Sequence, residues 1–109
     1  IKTEEDWEDL VRHNGQLIIF VDKPSYSICM TAIKNDGLAI KYLDFQTEEI
    51  CIEAVKQNPV AIIHIQLQTR AICDEVWKRD RSLVTCFEKK FRKQYLSKIF
   101  KLWKKIDIF

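Results

Sequence analysis

Apolar positions along this chain follow two rhythms, a short one inside segments and a long one of 22 residues between them. Set in register without gaps, the long period gives four units: 3–24, 25–46, 47–68 and 69–90. Apolar columns run through the last three units at Ile28/Ile50/Ile72 and through all four at Trp7/Cys29/Cys51/Cys73, at Leu10/Ala32/Ala54/Val76 and at Val11/Ile33/Val55/Trp77. That i, i+1, i+4, i+5 spacing lies on one face of an α-helix. A second apolar set follows at Leu17/Ala39/Ala61/Leu83, Ile18/Ile40/Ile62/Val84 and Val21/Leu43/Ile65/Phe87, and predicts a second, shorter helix.

The polar columns between these sets read as start and stop signals. Thr3, Ser25, Thr47 and Thr69 are hydroxyl residues suited to cap a helix N-terminus. Acids follow in the first turn or just beyond in three of the four units, most densely at Glu4, Glu5 and Asp6, where they suit the helix dipole. Arg12, Lys34, Lys56 and Lys78 fall in the last turn, where a cation complements exposed carbonyls. Asn14/Asp36/Asn58/Asp80 and then Gly15/Gly37/Pro59/Arg81 are expected to end the first helix and turn the chain.

Strands compete for the second segments, because IIF, AIIHI and LVTCF are rich in β-branched and aromatic residues. A 22-residue period also falls in the leucine-rich-repeat range, although the L-x-x-L-x-L-x-x-N pattern is absent. Lys41 and Thr85 also interrupt the alternation that a half-buried strand requires. The expected fold is therefore all-α: a short α-solenoid of four helix-turn-helix repeats, closed by a C-terminal amphipathic capping helix. One hairpin cannot bury its apolar face alone, so stability must come from stacked neighbours with the outer units as caps. Asp6, standing where later units have Ile, suits an outward-facing end.

At 109 residues the chain has the size of a single domain, 1–109. Its composition, 47% apolar and 31% charged with two Gly and two Pro, excludes the disordered and loop-rich classes. No apolar run of 18 residues occurs, so no transmembrane segment is expected, and the acidic Ile1–Leu10 is unlike a secretory signal. Cys29, Cys51 and Cys73 repeat at the 22-residue spacing. Equivalent positions in stacked layers lie about 9–10 Å apart, too far for a disulfide. They are read as small buried hydrophobes in a reducing compartment.

Charge is uneven. Residues 88–107 hold eight Lys or Arg and two acids, net +6, against −4 for the remainder. This segment, about 88–107, reads as one amphipathic helix with Phe91, Tyr95, Leu96, Ile99, Leu102, Trp103 and Ile106 on its apolar side. Covering the fourth unit is the plain role for such a helix, its lysine stems lying over apolar surface. An anionic membrane surface or nucleic-acid phosphates are the competing partners, contacted by Lys89, Lys90, Lys93, Lys101 and Lys104.

No enzymatic constellation emerges. His13 and His64 have no ligand partner in sequence, and His64 shares a column with Phe20, Tyr42 and Cys86, which reads as a semi-buried amphipathic position. There is no C-x-x-C, no phosphate-binding glycine loop and no G-x-S-x-G. Glu48–Glu49 and Asp74–Glu75 are adjacent in sequence, so their side chains diverge around a helix. The expectation is a non-enzyme without catalytic, metal or cofactor residues.

The strings ICIEAVKQNPVAI and ICMTAIKNDGLAIKYL resemble a helical repeat family of unknown function that is abundant in giant DNA viruses, with units of the type ICxEAVKQNGLAxxYV. The resemblance is close over residues 25–80, weaker through Val11–Gly15 and absent in the tail. Pro59 and Arg81 depart from the family's turn glycine, and Trp77 enlarges a usually smaller position. The resemblance implies an all-helical module with no catalytic residue to carry across, and a host-cytoplasmic or virion setting. The functional expectation is a protein–protein interaction or virion structural module, alone or as a homo-oligomer or part of a larger assembly. Its contact face would run through columns such as Lys41/Tyr42 and Ile63/His64, and the alternative is nucleic-acid or anionic-surface binding through the basic helix.

Overall fold

A computed structural model describes residues 2–106, with side chains as far as Leu102. Ten-residue α-helices alternate with six-residue 3-10 helices: α1 (Glu4–His13), η1 (Gly15–Phe20), α2 (Tyr26–Asn35), η2 (Gly37–Tyr42), α3 (Glu48–Gln57), η3 (Pro59–His64), α4 (Arg70–Arg79) and η4 (Arg81–Cys86). A longer helix, α5 (Lys89–Ile106), follows. The described residues are all-helical with no strand, which excludes the strand reading of IIF, AIIHI and LVTCF.

The caps explain why each element begins and ends where it does. Hydroxyls of Thr3, Ser25, Thr47 and Thr69 accept hydrogen bonds of 3.2–3.3 Å from the third amide of α1 to α4, and Thr3 and Asp6 complete a reciprocal capping box. At the other end, Asn14, Asp36, Asn58 and Asp80 each do two things. Their amides bond back to Leu10, Ala32, Ala54 and Val76, closing the α-helix. Their side chains then accept the amides of Gln16, Leu38, Val60 and Ser82 at 3.0–3.1 Å, opening the 3-10 helix. One extended residue therefore stops one helix and starts the next.

The glycines have a different role from the one expected. Neither Gly15 nor Gly37 has a positive φ, so neither is needed to turn the chain. A Cβ on Gly15 would lie 2.3 Å from the carbonyl oxygen of Ala32, and one on Gly37 would lie 2.3 Å from that of Ala54. Both glycines permit close contact with the next α-helix. At the corresponding place in the third pair stands Pro59, half-exposed where the glycines are buried, and Pro is well suited to the first position of a helix.

Consecutive helices pack in order, α1 on α2 on α3 on α4, with each 3-10 helix on the next, in a body measuring 68 × 23 × 16 Å. Ile28, Ile50 and Ile72, Ala32, Ala54 and Val76, and Val11, Ile33 and Val55 are buried between them. On the 3-10 side Ile18, Ile40, Ile62 and Val84 fill the core, joined by Leu43, Ile65 and Phe87 just beyond the helix ends.

The expectation of a capping helix holds for only the first turns of α5. Phe91 is half-buried and Tyr95 is buried, its ring 5.1 Å from Trp77 and 5.0 Å from Phe87 by centroids, with its hydroxyl donating to Asp74. Leu96, Ile99 and Leu102, placed on the covered side by the sequence, are 45%, 37% and 48% exposed. The physical reason is a missing stop: Leu102 and Trp103 stand where earlier units have Asn or Asp and then Gly, Pro or Arg. The helix continues for 18 residues, about 27 Å, beyond the length of the ten-residue helices it follows. The side chains of Trp103 and Ile106, named on the same apolar side, lie outside the described residues.

Candidate interaction surfaces

Gly15, Gly37 and the neighbouring helix C-termini form a polar seam. The amide of Gly15 donates to Asn35 Oδ1 at 2.7 Å while Asn35 Nδ2 donates to the carbonyl of Arg12 at 2.9 Å, and Gln16 Nε2 reaches Asp36 at 2.7 Å. One unit later the amide of Gly37 donates to Gln57 Oε1 at 2.6 Å. At the third seam both partners change together. Pro59 has no amide proton, and Arg79, at the place of Asn35 and Gln57, has no acceptor. Arg79 turns to Glu75 at 2.6 Å instead; burial raises that carboxyl, but Arg79 and Lys78 together hold it below its ordinary range.

A second seam crosses the loops and escaped the sequence reading. Gln46 Nε2 donates to the carbonyls of Ile40 at 3.3 Å and His64 at 3.0 Å, while its Oε1 accepts the amide of Gln66 at 3.0 Å. Gln68 repeats this one unit on, donating to Cys86 at 3.0 Å and accepting from Glu88 at 2.7 Å. Gln46 and Gln68 close the repeating units in the sequence, which was the available signal, but a lone glutamine column reads as loop polarity. Gln68 is the buried polar residue of the core, so Gln68→Leu keeps the volume and strands a carbonyl and an amide. We expect a loss of about 2–3 kcal/mol by urea denaturation, since each unsatisfied buried group costs roughly 1–3 kcal/mol. A loss below half a kcal/mol, within ordinary surface noise, would remove this seam from the account.

The cysteine column is buried as expected. Cys29, Cys51 and Cys73 are free thiols whose Sγ atoms lie 3.8–4.0 Å from Pro24 O, Gln46 Oε1 and Gln68 Oε1. Burial pushes Cys51 and Cys73 up to about 11 and raises Cys29 as well. Neutral thiols therefore favour the folded chain. The contribution of Cys51 and Cys73 is whole below the unfolded value of about 8.5 and is lost as pH rises toward 11. Alkylation at pH 8 should label the half-buried Cys86 first and reach the other three only on unfolding. Labelling of all four at one rate would contradict this burial.

The residues expected to carry contact chemistry divide into two surfaces. Lys41 and Ile63 are exposed and Tyr42 and His64 half-buried, along the edge made by the 3-10 helices. Ile19 and Phe20 occupy the same columns in η1 at 53% and 69% exposure, and Phe45 and Leu67, in the loops after η2 and η3, are exposed at 80% and 70%. Phe45 and Leu67 were not singled out by the sequence reading, although they share a column with Lys23 and Lys89 that has no role in the core.

Lys89, Lys90, Lys93 and Lys101 are exposed along α5, and the Lys104 side chain lies outside the described residues. Among the described residues Lys90 alone of these meets a carboxylate, Glu88 at 3.6 Å, and its ammonium also lies 5.1 Å from the Phe91 ring centre. They follow the helix rather than converge on a pocket. The shallow crevice lined by Arg12, Thr31, Lys34 and Asn35 offers little more, because Arg12 is engaged by Glu8 and Asp9. No group of three His, Cys, Asp or Glu able to hold a metal occurs among the described residues, and none of the described helices is long and apolar enough to cross a membrane.

Residues 25–67 match the model of a family described as a domain of unknown function (DUF4116). The matched stretch runs from the cap of α2 to the loop after η3, which contains the Gly37–Gln57 contact and the Gln46 clamp. No curated protein and no solved structure matches the chain.

Proposed function

We propose that this chain is a non-catalytic helical-repeat module, a short α-solenoid of four 22-residue units, that binds a protein partner along its 3-10 edge. The observation that carries the reading is the set of apolar side chains left exposed on the 3-10 helices and in the loops that follow them, Ile19, Phe20, Phe45, Ile63 and Leu67, while the equivalent inward columns are buried. Large apolar side chains exposed on successive layers of one edge mark a contact region more often than a single exposed residue does. Repeating layers supply such a surface in an extended form. The resemblance to a giant-virus repeat family makes a virion or host-cytoplasmic assembly the setting that fits this module.

The test is recovery of partners from a source-organism lysate with the wild-type chain and with a Phe45→Glu/Ile63→Glu/Leu67→Glu variant. All three sites are exposed, so circular dichroism should be unchanged while nuclease-resistant partners are lost. Partners kept by the folded variant would rule out this edge.

A second reading is favoured by the cations exposed along α5: binding of a phosphate polymer through Lys89, Lys90, Lys93 and Lys101. About four phosphate contacts would give a log–log salt slope near −3 to −4. Binding with a flat salt response would exclude it.

A further inference from the structure

We propose that the protruding part of α5 docks on the outer face of α1 in a second copy of this chain, joining copies head to tail. The two surfaces are complementary in charge. Helix α1 holds five acids against Arg12, whereas Lys89–Ile106 holds eight Lys or Arg and no acid. Glu4 and Glu5 are exposed and meet no cation among the described residues, while Asp6 is held by Thr3 and Asp9 by Arg12.

The surfaces also match in apolar character. In α1, Trp7, with part of its ring packed on the core, and Leu10 are only half-buried, although their columns are buried in the later helices at Cys29, Cys51 and Cys73 and at Ala32, Ala54 and Val76. In α5, Leu96, Ile99 and Leu102 are exposed beside Lys93, Lys98 and Lys101. Each surface is an apolar strip edged by charge, acidic on one and basic on the other.

Other occupants fit less well. Pairing of α5 with itself would bring two sets of eight cations together. A phosphate polymer would satisfy the lysines and leave Leu96, Ile99 and Leu102 in water. Among the described residues of one chain the two surfaces do not meet, since α1 packs on α2 and η1 whereas α5 packs on α4 and η4. The contact must therefore form between copies, and a head-to-tail contact yields a ring if the rotation closes and a filament if it does not.

Sedimentation velocity on the full chain over a range of concentrations tests this, at low and high salt and with nuclease present. The expected result is concentration-dependent association that weakens as salt rises. Glu4→Lys/Glu5→Lys and Lys93→Glu/Lys101→Glu should each weaken it about tenfold or more, as opposed charges become like ones. A chain carrying both pairs should recover association, because the charges are swapped rather than lost. A monomer at every concentration would overturn the proposal, as would association that survives the α1 reversal, is not rescued by the swap, or vanishes with nuclease. The Phe45→Glu/Ile63→Glu/Leu67→Glu variant should self-associate as wild type does, so failure of the edge reading and failure of this one are separable.

Discussion

Gly37→Ala should destabilise the protein by about 3 kcal/mol or more, at the upper end of what overpacking a core costs. The added methyl would sit 2.3 Å from the carbonyl oxygen of Ala54, a backbone atom that can move only if α3 moves. Separating the helices would also stretch the 2.6 Å bond from the Gly37 amide to Gln57 and loosen the packing around Ala54 and Val55, both fully buried. Alanine has the better helix propensity, so a local argument gives the opposite sign. Pro59→Ala is the control: a Cβ is already accommodated there and no amide bond to the next unit is broken, so a change below about 1 kcal/mol is expected. Equal urea midpoints for Gly37→Ala and wild type would show that the helices do not approach as closely as described.

Tyr95→Ala should cost about 3–5 kcal/mol, the range for removing a large buried aromatic side chain. Tyr95 is 1% exposed and is the contact through which α5 reaches Trp77, Phe87 and Asp74 together. Tyr95→Phe keeps the ring contacts and removes the donor to Asp74, for which about 1–2 kcal/mol is expected. Because α5 is held chiefly at its start, the alanine variant should release that helix before the rest unfolds. Hydrogen exchange would then show protection lost first over 89–102, with the α2 and α3 amides affected less. A loss spread evenly over all helices would mean that α5 is integral to the stack.

Much of the all-helical architecture was legible in the sequence because it is set within local reach. Thr and Ser caps act on amides three residues away, and the apolar columns obey helical spacing, so four α-helices could be placed from Thr3, Ser25, Thr47 and Thr69 onward. The second segments were less defined. Six residues such as PVAIIH carry β-branched side chains that fit a strand or a helix, and the decision rests on Asn58 bonding the amide of Val60. The glycine role was misread because a glycine after a helix commonly signals a left-handed turn, whereas the determining contact here is 17 residues away, with Ala32 or Ala54.

The contacts least visible in sequence are those between units. Gln46 to His64, Gln68 to Cys86 and Gly37 to Gln57 span 18–20 residues, beyond any helical periodicity. The paired change at Pro59 and Arg79 becomes meaningful only once those two places are known to face each other. Of the expected surfaces, the lysines of α5 were identifiable from charge alone, and Lys41 and Ile63 from their departure from the apolar columns. Phe45 and Leu67 were not, since an apolar residue in a loop gives no sign of whether it folds inward.

Small-angle scattering shows whether helices packed one after another, with α5 running on, make an elongated body. Measured in high salt at low concentration, the radius of gyration should be close to the 16.8 Å of the Cα trace, with a longest dimension near 68 Å. A compact domain of this length would have a radius of gyration of about 13 Å, and that value would mean that the helices are not stacked in a line.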